Sequence, residues 1–204
     1  MGYTIYLNDW LVLHPYYMAR TKQYIESEVL EKAMFLFWNN GYENTSMQML
    51  EKEMGINKFS IYASFGSKHG LFLESLKAYK ERSKKIFAKL ISANNGVEDI
   101  KVFFYDSVEN CNHADIPNGC LLTNTYNEFH ASEDAIIKRK MNEFVSELKQ
   151  LFIDKLSMDR SKTEETILRQ ANYLLLAKHG LALASKINSK KEIEDFIETT
   201  FNNI

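Results

Sequence analysis

The stretch GINKFSIYASFGSKHGLF, residues 55–72, carries the side chains best suited to bind a partner at the protein surface. It interleaves small residues with hydroxyl and ammonium groups, a combination that lets a backbone approach a polyanion closely. On the outer face of a short helix we expect Lys58, Phe59, Ser60, Ala63 and Ser64, with Tyr62 and Lys68 as donors to phosphate. The amide groups of the helix that begins near Ser67 would add an anion site.

The elements that must position these residues follow from helical periodicity and from turn residues. Apolar residues from Ile25 to Phe37 form one stripe, which predicts a first helix ending near Asn40. Thr45 and Gln48 have the spacing of a capping box, which predicts a short helix over 47–53. Gly55 supplies a tight turn, and Asn57 can cap a third helix through Phe65, with Ile56 and Ile61 facing inward. This is the spacing of a helix-turn-helix, although a surface turn between core helices has the same spacing.

From Arg20 to Tyr79 the chain resembles the DNA-binding region of the TetR family of transcriptional regulators. The matching segments are FWNNGYENTSM and MGINKFSIYASFGSKHGLF, with Gly41-Tyr42, Thr45-Ser46, Gly55-Ile56, Tyr62, Phe65, Ser67-Lys68 and Leu71 in register. The resemblance implies an Ω-shaped homodimer with three N-terminal DNA-binding helices and a larger inducer-binding helical domain in each subunit. It places Thr45, Ser46, Lys58, Ser60, Tyr62 and Lys68 at positions that contact operator DNA, mostly at phosphates.

Two features depart from that pattern. Phe59 stands where the family usually has a small residue, and His69-Gly70 replaces an acidic-plus-small pair. Residues 18–68 hold six Lys or Arg and six Glu, so the domain is neutral and its cations must be segregated. We expect Arg20, Lys22, Lys58 and Lys68 on the DNA side, and Glu26, Glu28, Glu31 and Glu51 facing away or in first helical turns.

The chain has two prolines and eight glycines in 204 residues, which predicts an all-α fold of about nine helices. A helix over 68–92, with Leu71, Phe72, Leu76, Tyr79, Phe87, Leu90 and Ile91 buried, should link a DNA-binding domain (18–68) to a C-terminal domain (69–204). Further helices are expected near 97–112, 132–156, 162–187 and 190–202, after a boundary at 94–96. Residues 1–17 are interpreted as an N-terminal extension, and a non-native origin of this extension is a hypothesis.

The last two helices carry apolar stripes that resemble the family's dimer interface: Leu174, Leu175, Ala177, Leu181, Ala184, Ile193, Phe196 and Phe201. Some of these residues could equally form the subunit's own core. An aromatic-rich inducer cavity with a few polar groups is expected to be lined by Phe103, Phe104, Cys120, Tyr126, Asn127, Phe129, Tyr173 and His179.

Cys120 lies in IPNGCLLTNTYNEF, residues 116–129, which resembles a GCLL-N segment found in one subset of the family. It should begin a helix, where a thiolate is stabilised, so a redox or electrophile sensor is one hypothesis and a buried structural cysteine is the other. The spacing of Cys111, His113, Cys120 and His130 fits no compact zinc pattern, so no metal and no cofactor are predicted.

Other function classes find little support in the sequence. No phosphate-binding glycine loop, metalloprotease motif or nucleophile elbow is present, so the chain is not predicted to be an enzyme. Two cysteines and the lack of a long apolar run favour a cytoplasmic protein without a transmembrane helix, so no membrane partner is predicted. The sequence therefore predicts a ligand-responsive repressor, a homodimer released from a palindromic DNA operator by a small-molecule inducer. A TetR-like DNA-binding protein without inducer, with an architectural or division-control role, is the alternative.

Overall fold

The fold was analysed in a computed structural model, which describes residues 24–110, 112–113, 116–117, 119–202 and 204. The predicted contacts of Arg20 and Lys22, and the proposed extension 1–17, lie outside these residues. The described part contains nine helices and one pair of two-residue strands, which confirms the all-α class. The elements are α1 (Glu26–Asn40), α2 (Met47–Met54), α3 (Lys58–Phe65), α4 (Lys68–Ser92), α5 (Val97–Asn110), β1 (Asn112–His113), β2 (Ile116–Pro117), α6 (Leu121–Phe129), α7 (Ala135–Leu156), α8 (Glu164–Ala184) and α9 (Lys190–Phe201). The strands pair antiparallel.

Local hydrogen bonds explain where the short N-terminal helices begin. Asn57 accepts from the Ser60 amide and caps α3, as the sequence predicted. The short helix predicted over 47–53 is present, but its predicted cap was wrong, because Ser46 and not Thr45 is the capping residue and accepts from the Met49 amide. Thr45 is fully buried and its hydroxyl donates to the Gly41 carbonyl, 2.6 Å away.

Two hydrophobic cores hold the molecule together. The first joins α1–α3 and the N-terminal half of α4 to α6 and the start of α7, around Phe37, Phe72 and Phe129. The second joins the C-terminal part of α4 to α5, α7, α8 and α9, around Phe104 and Phe152. Helix α4 contributes to both, because its buried residues run from Leu71 to Leu90.

The prediction of a buried Ile91 was wrong, since its side chain is exposed at an open groove between α4 and α7. Phe87 is half-buried and lines the same groove. None of the helices described in this chain has both the length and the apolar character required to cross a membrane.

The structure separates the apolar residues of α8 and α9 into two groups. Leu174, Leu181 and Ile193 are buried in the second core. Tyr173, Leu176, Leu183 and Ile187 are exposed, at spacings of three, seven and four that place them along one side of α8 and the turn after it. Phe196 of α9 is exposed as well. We call these five residues the α8/α9 stripe.

Candidate nucleic-acid interface and effector cavity

Helix α3 exposes Lys58, Phe59 and Ala63 of the outer face that the sequence predicted, while Ser60 and Ser64 are half-buried. Ile61 is fully buried and anchors the helix, while Lys58, Tyr62 and Ala63 are exposed. Phe59 is 74% exposed, the largest exposure of any aromatic side chain in the described residues, and the Lys58 ammonium lies 5.7 Å from its ring centre. The exposed ring therefore gives α3 an apolar surface that can contact a partner.

The inner edge of α3 is tied to the residues before α1. The Tyr24 hydroxyl lies 2.7 Å from the Ser64 hydroxyl and donates to the Ser60 carbonyl over 3.4 Å. Glu51 of α2 accepts from the Lys58 amide over 2.6 Å, so its carboxylate stands at the N-terminus of α3. The prediction that Glu51 faces away from this surface was therefore wrong. A carboxylate there is favoured by the helix dipole and fixes the angle between α2 and α3.

The other predicted contact residues divide into exposed and buried ones. Ser46 is exposed at the N-terminus of α2, close in sequence to Thr45. Because Thr45 is fully buried and its hydroxyl is used by Gly41, its side chain has no surface to offer a phosphate. Lys68 is half-buried, with its ammonium 4.3 Å from the centre of the Tyr42 ring. This cation–π contact positions a charge at the start of α4.

Glycine at position 70 is required by the close approach of α3 and α4. A β-carbon built there would lie 2.1 Å from the Phe65 carbonyl oxygen, which no real side chain tolerates. The preceding residue, His69, has its Nε2 atom 2.7 Å from a carboxylate oxygen of Asp134, the N-cap of α7. The departure from the family pattern at His69-Gly70 thus has a structural reason in this chain.

Helix α6 connects the N-terminal helices to the C-terminal domain. The Glu128 carboxylate accepts from the backbone amides of Tyr42 (3.0 Å) and Glu43 (2.8 Å), in the turn between α1 and α2. At the opposite end of α6, the Trp38 indole donates to the Gly119 carbonyl over 3.0 Å in a buried bond. Two polar clamps, one at each end of α6, therefore hold α1 and the turn that follows it.

The surroundings of Tyr42, in the turn after α1, and of Asp134, at the start of α7, favour a neutral phenol and an ionised carboxylate. Burial raises the pKa of the Tyr42 phenol, and the carboxylates of Glu43, Asp134 and Glu128 raise it further. Burial also raises the pKa of Asp134, but hydrogen bonds from the Ile137 amide and from His69 outweigh it and leave that pKa below its usual value. The carboxylate of Asp134 thus remains charged in the folded protein at neutral pH.

A small, partly enclosed cavity lies between α4, α5, α6, α7 and α8. Its lining includes Phe103, Cys120 and His179, three of the residues predicted for an inducer site. The sequence analysis missed Phe87, Phe144 and Lys178, which line it too. The free space at its centre is about 30 Å³, room for a water molecule or two.

The structure places the other predicted cavity residues elsewhere. Phe104 is fully buried in the second core against Phe152 and Phe201, and Phe129 stacks on Phe72 in the first core. Asn127 and Tyr173 are exposed, and Tyr126 covers the outside of the cavity by stacking on His179 at 6.1 Å. Helical spacing could not distinguish these positions, because core and cavity residues share the same stripe.

Cys120 occupies the N-cap position of α6 and is 9% exposed. Its role as a sensor stays a prediction. No group of three metal-binding side chains occurs among the residues that the structure describes, and Cys111 is outside them.

Comparisons with known proteins agree with this architecture. The family model of bacterial regulatory proteins of the tetR family matches residues 29–75. The HTH-type transcriptional repressor ComR of Escherichia coli is 36% identical over 108 residues, which is 52% of this chain and 51% of ComR. This chain therefore spans about half the length of ComR in that match. The HTH-type transcriptional regulator YezE of Bacillus subtilis is 24% identical over 91% of this chain and 98% of its own.

A third relative and two solved structures extend the likeness to nearly the whole chain. IcaR of Staphylococcus aureus, a negative transcriptional regulator of the biofilm operon, is 22% identical over 87% of this chain and 97% of its own. Two cysteine mutants of the TetR family regulator CifR, solved with 26-base-pair operator DNA, superpose with a TM-score of 0.77. They are 24% and 25% identical and cover 90% of this chain and 98% of theirs. The fold and the relatives are those of regulators, which confirms the prediction that the chain is not an enzyme.

Proposed function

We propose that this chain is a transcriptional regulator of the TetR family, and that it acts as a cytoplasmic homodimeric repressor of a palindromic operator. In this proposal a small molecule bound in the C-terminal domain releases the DNA. The observation that carries it is the exposed face of α3, where Lys58, Phe59 and Tyr62 project from a helix anchored by buried Ile61. A helix with this outer face suits the major groove, and the preceding helices position it.

The α8/α9 stripe supports the homodimer. Leu176 is 70% exposed, and Tyr173 and Leu183 flank it on the same side of the helix. An apolar surface of this kind, on the helices farthest along the chain from α3, fits a second copy of itself across a two-fold axis. Two α3 helices held in this way could address half-sites about 34 Å apart.

Helix α6 supports a response to a bound molecule. Cys120, Leu122 and Thr123, at the start of α6, line the partly enclosed cavity, and Gly119 accepts the hydrogen bond from Trp38 of α1. A ligand that enlarges the cavity would displace the start of α6 and, through Trp38, the helix that supports α2 and α3. A coupling of about 1–3 kcal/mol would weaken operator binding roughly 5- to 150-fold.

The proposal is tested by operator selection. The purified protein is incubated with random duplex DNA, and the enriched sequence is examined by fluorescence anisotropy at two salt concentrations. We expect a palindrome whose affinity falls with salt. Failure to enrich any sequence, with or without small molecules added, would contradict a sequence-specific regulator.

The variant Tyr62→Ala should bind the selected operator at least about tenfold more weakly, because one hydrogen bond to a charged phosphate is lost in each subunit. Tyr126→Ala is the matched control, since Tyr62 and Tyr126 are 43% and 41% exposed. Equal affinities for the two variants would remove Tyr62 from the interface.

Phe59→Ala should relax sequence preference more than it weakens binding. An exposed ring in the major groove makes apolar contact with a thymine methyl group, and losing it should cost about 1–3 kcal/mol of discrimination at one position of each half-site. Lys58→Ala, on the neighbouring residue, should weaken binding to all sequences alike and reduce the salt slope. Repeating the selection with both variants separates the two effects, and an unchanged sequence logo for Phe59→Ala would contradict the assignment.

A further inference from the structure

The two most buried lysines of the described chain have contrasting surroundings. The ammonium of Lys155 is close to the Asp99 carboxylate (3.6 Å) and donates to the carbonyls of Ile91 and Ala93. Lys178 is equally buried, at 7% exposure, yet it has no hydrogen bond or ion pair to any residue that the structure describes. Burial of an unpaired ammonium is expensive, so such a group is retained where it has a partner in some state of the protein.

The lining of the cavity indicates what that partner is. Lys178 and His179 are its basic residues, and none of its lining residues is acidic. Burial lowers the pKa of His179, and repulsion from the Lys178 ammonium lowers it further. Repulsion of this kind is expected beside a positive charge that has no anionic partner. Neutral polar groups from Ser83, Ser107 and Asn110 complete the polar side of the cavity. These groups can supply hydrogen bonds, and Lys178 adds an ammonium group that can pair with an anion.

The remaining lining is mainly aromatic and aliphatic, and two of its aromatic residues are shared with a larger space. Phe87 and Phe144 contact each other edge to face, with ring centres 6.0 Å apart, and they line both the partly enclosed cavity and the open groove between α4 and α7. That groove has a volume of about 570 Å³ and includes exposed Ile91 and half-buried Leu151. Rotation of the two aromatic rings would join the small cavity to this groove, which is large enough for a drug-sized molecule. The groove is also lined by Lys80, Lys84, Glu81 and Glu147, so its charged side chains are of both signs.

We propose that the effector is an organic acid with an apolar body, whose anionic group pairs with Lys178 while the body packs against Phe87, Phe103 and Phe144. This inference rests on the proposed function, because it specifies the chemical class of the molecule that releases the operator. It also explains why a lysine is present in the apolar run LLLAKHGLALA of α8, four residues after buried Leu174 and three before buried Leu181.

The first test needs no ligand. Lys178→Met removes an uncompensated buried charge and keeps the volume, so the melting temperature of the free protein should rise. Lys155→Met, at the equally buried but paired lysine, should lower it because Asp99 loses its partner. A fall in melting temperature for Lys178→Met would show that the ammonium is already satisfied within the protein and would overturn the proposal.

The second test uses defined probes. Benzoate, phenylacetate, octanoate and decanoate, each beside its primary amide and its amine, are titrated into the wild-type protein and Lys178→Met. Melting temperature and operator anisotropy are recorded. At least one acid should bind the wild-type protein tenfold or more tightly than its amide and should weaken operator binding. Lys178→Met should lose this preference for the acid, with its operator affinity compared before and after each ligand is added.

The possible results distinguish the role of the Lys178 charge from the proposed response to small molecules. Equal binding of acids and amides, or undiminished acid binding by Lys178→Met, would overturn the charge assignment while leaving the response to ligands intact. Silence of the acids, amides and amines alike would contradict the proposed response to small molecules, together with the assignment that rests on it.

Discussion

Leu176→Glu is expected to turn the protein into a monomer that binds its operator at least about 100-fold more weakly. Leu176 is 70% exposed at the centre of the α8/α9 stripe, and in a two-fold dimer each substituted residue would bring a carboxylate into an apolar interface beside its symmetry mate. Operator affinity would fall because the two α3 helices would no longer be linked, and linkage contributes about two to four orders of magnitude in affinity.

Light scattering at micromolar concentration gives the oligomeric state, and anisotropy gives the affinity. Ile136→Glu is the control, because Ile136 is also exposed but lies in the first turn of α7, where a carboxylate is favourable. If Leu176→Glu remains a dimer with full affinity, the stripe is not the subunit interface.

Gly41→Ala is expected to destabilise the protein by about 3 kcal/mol, among the largest effects available from adding one methyl group. Gly41 has φ +79° and ψ 174°, a region essentially restricted to glycine. An added β-carbon would also lie 3.1 Å from a Glu128 carboxylate oxygen and would push that carboxylate away from the Tyr42 and Glu43 amides. Urea unfolding followed by circular dichroism measures the loss.

Gly55→Ala is the matched control for Gly41→Ala. Gly55 also has positive φ, but its ψ of 21° is in the left-handed helical region and its β-carbon would meet no atom within 4 Å. Its substitution should cost only about 1 kcal/mol. A double-mutant cycle with Glu128→Ala isolates the contact: Gly41→Ala should cost about 1 kcal/mol less when Glu128 is absent. Equal costs in both backgrounds would show that the loss is backbone strain alone.

Local sequence signals predicted most of the fold, because each helix carries its own periodicity and stop residues. The start of α3 at Asn57 and the extent of α4 follow from such signals. The error at Thr45 arose because Ser46 offers the same hydroxyl one residue later. Choosing between them requires knowing that the Thr45 side chain is covered by the first core. Exposed Ile91 was missed because helical spacing alone does not show where a groove interrupts packing.

The candidate site was less predictable where it depends on contacts between distant segments. Glu128 lies 86 residues from Tyr42, and Gly119 lies 81 residues from Trp38, so no short motif connects them. Phe104 and Phe103 are adjacent in sequence, yet one is in the second core and the other lines the cavity. Lys178 did carry a detectable signal, since a lysine between two core leucines at helical spacing must be buried or must reach out of the core.

The clamps at the two ends of α6 bear on how hybrid regulators could be built from this protein. A crossover placed between α3 and α4 would exchange Gly119, Glu128 and Asp134 for those of another parent while leaving Trp38, the 41–43 turn and residues before position 68 unchanged. His69 and Asp134 would be exchanged together, so that pair could be preserved. The Trp38 indole and the amides of the 41–43 turn would lose their hydrogen-bond acceptors. A hybrid with a grafted effector domain would therefore fold its helices but lose the contacts that connect α6 to α1. To keep them, the Gly119 carbonyl and the Glu128 carboxylate would have to be retained together with the DNA-binding helices.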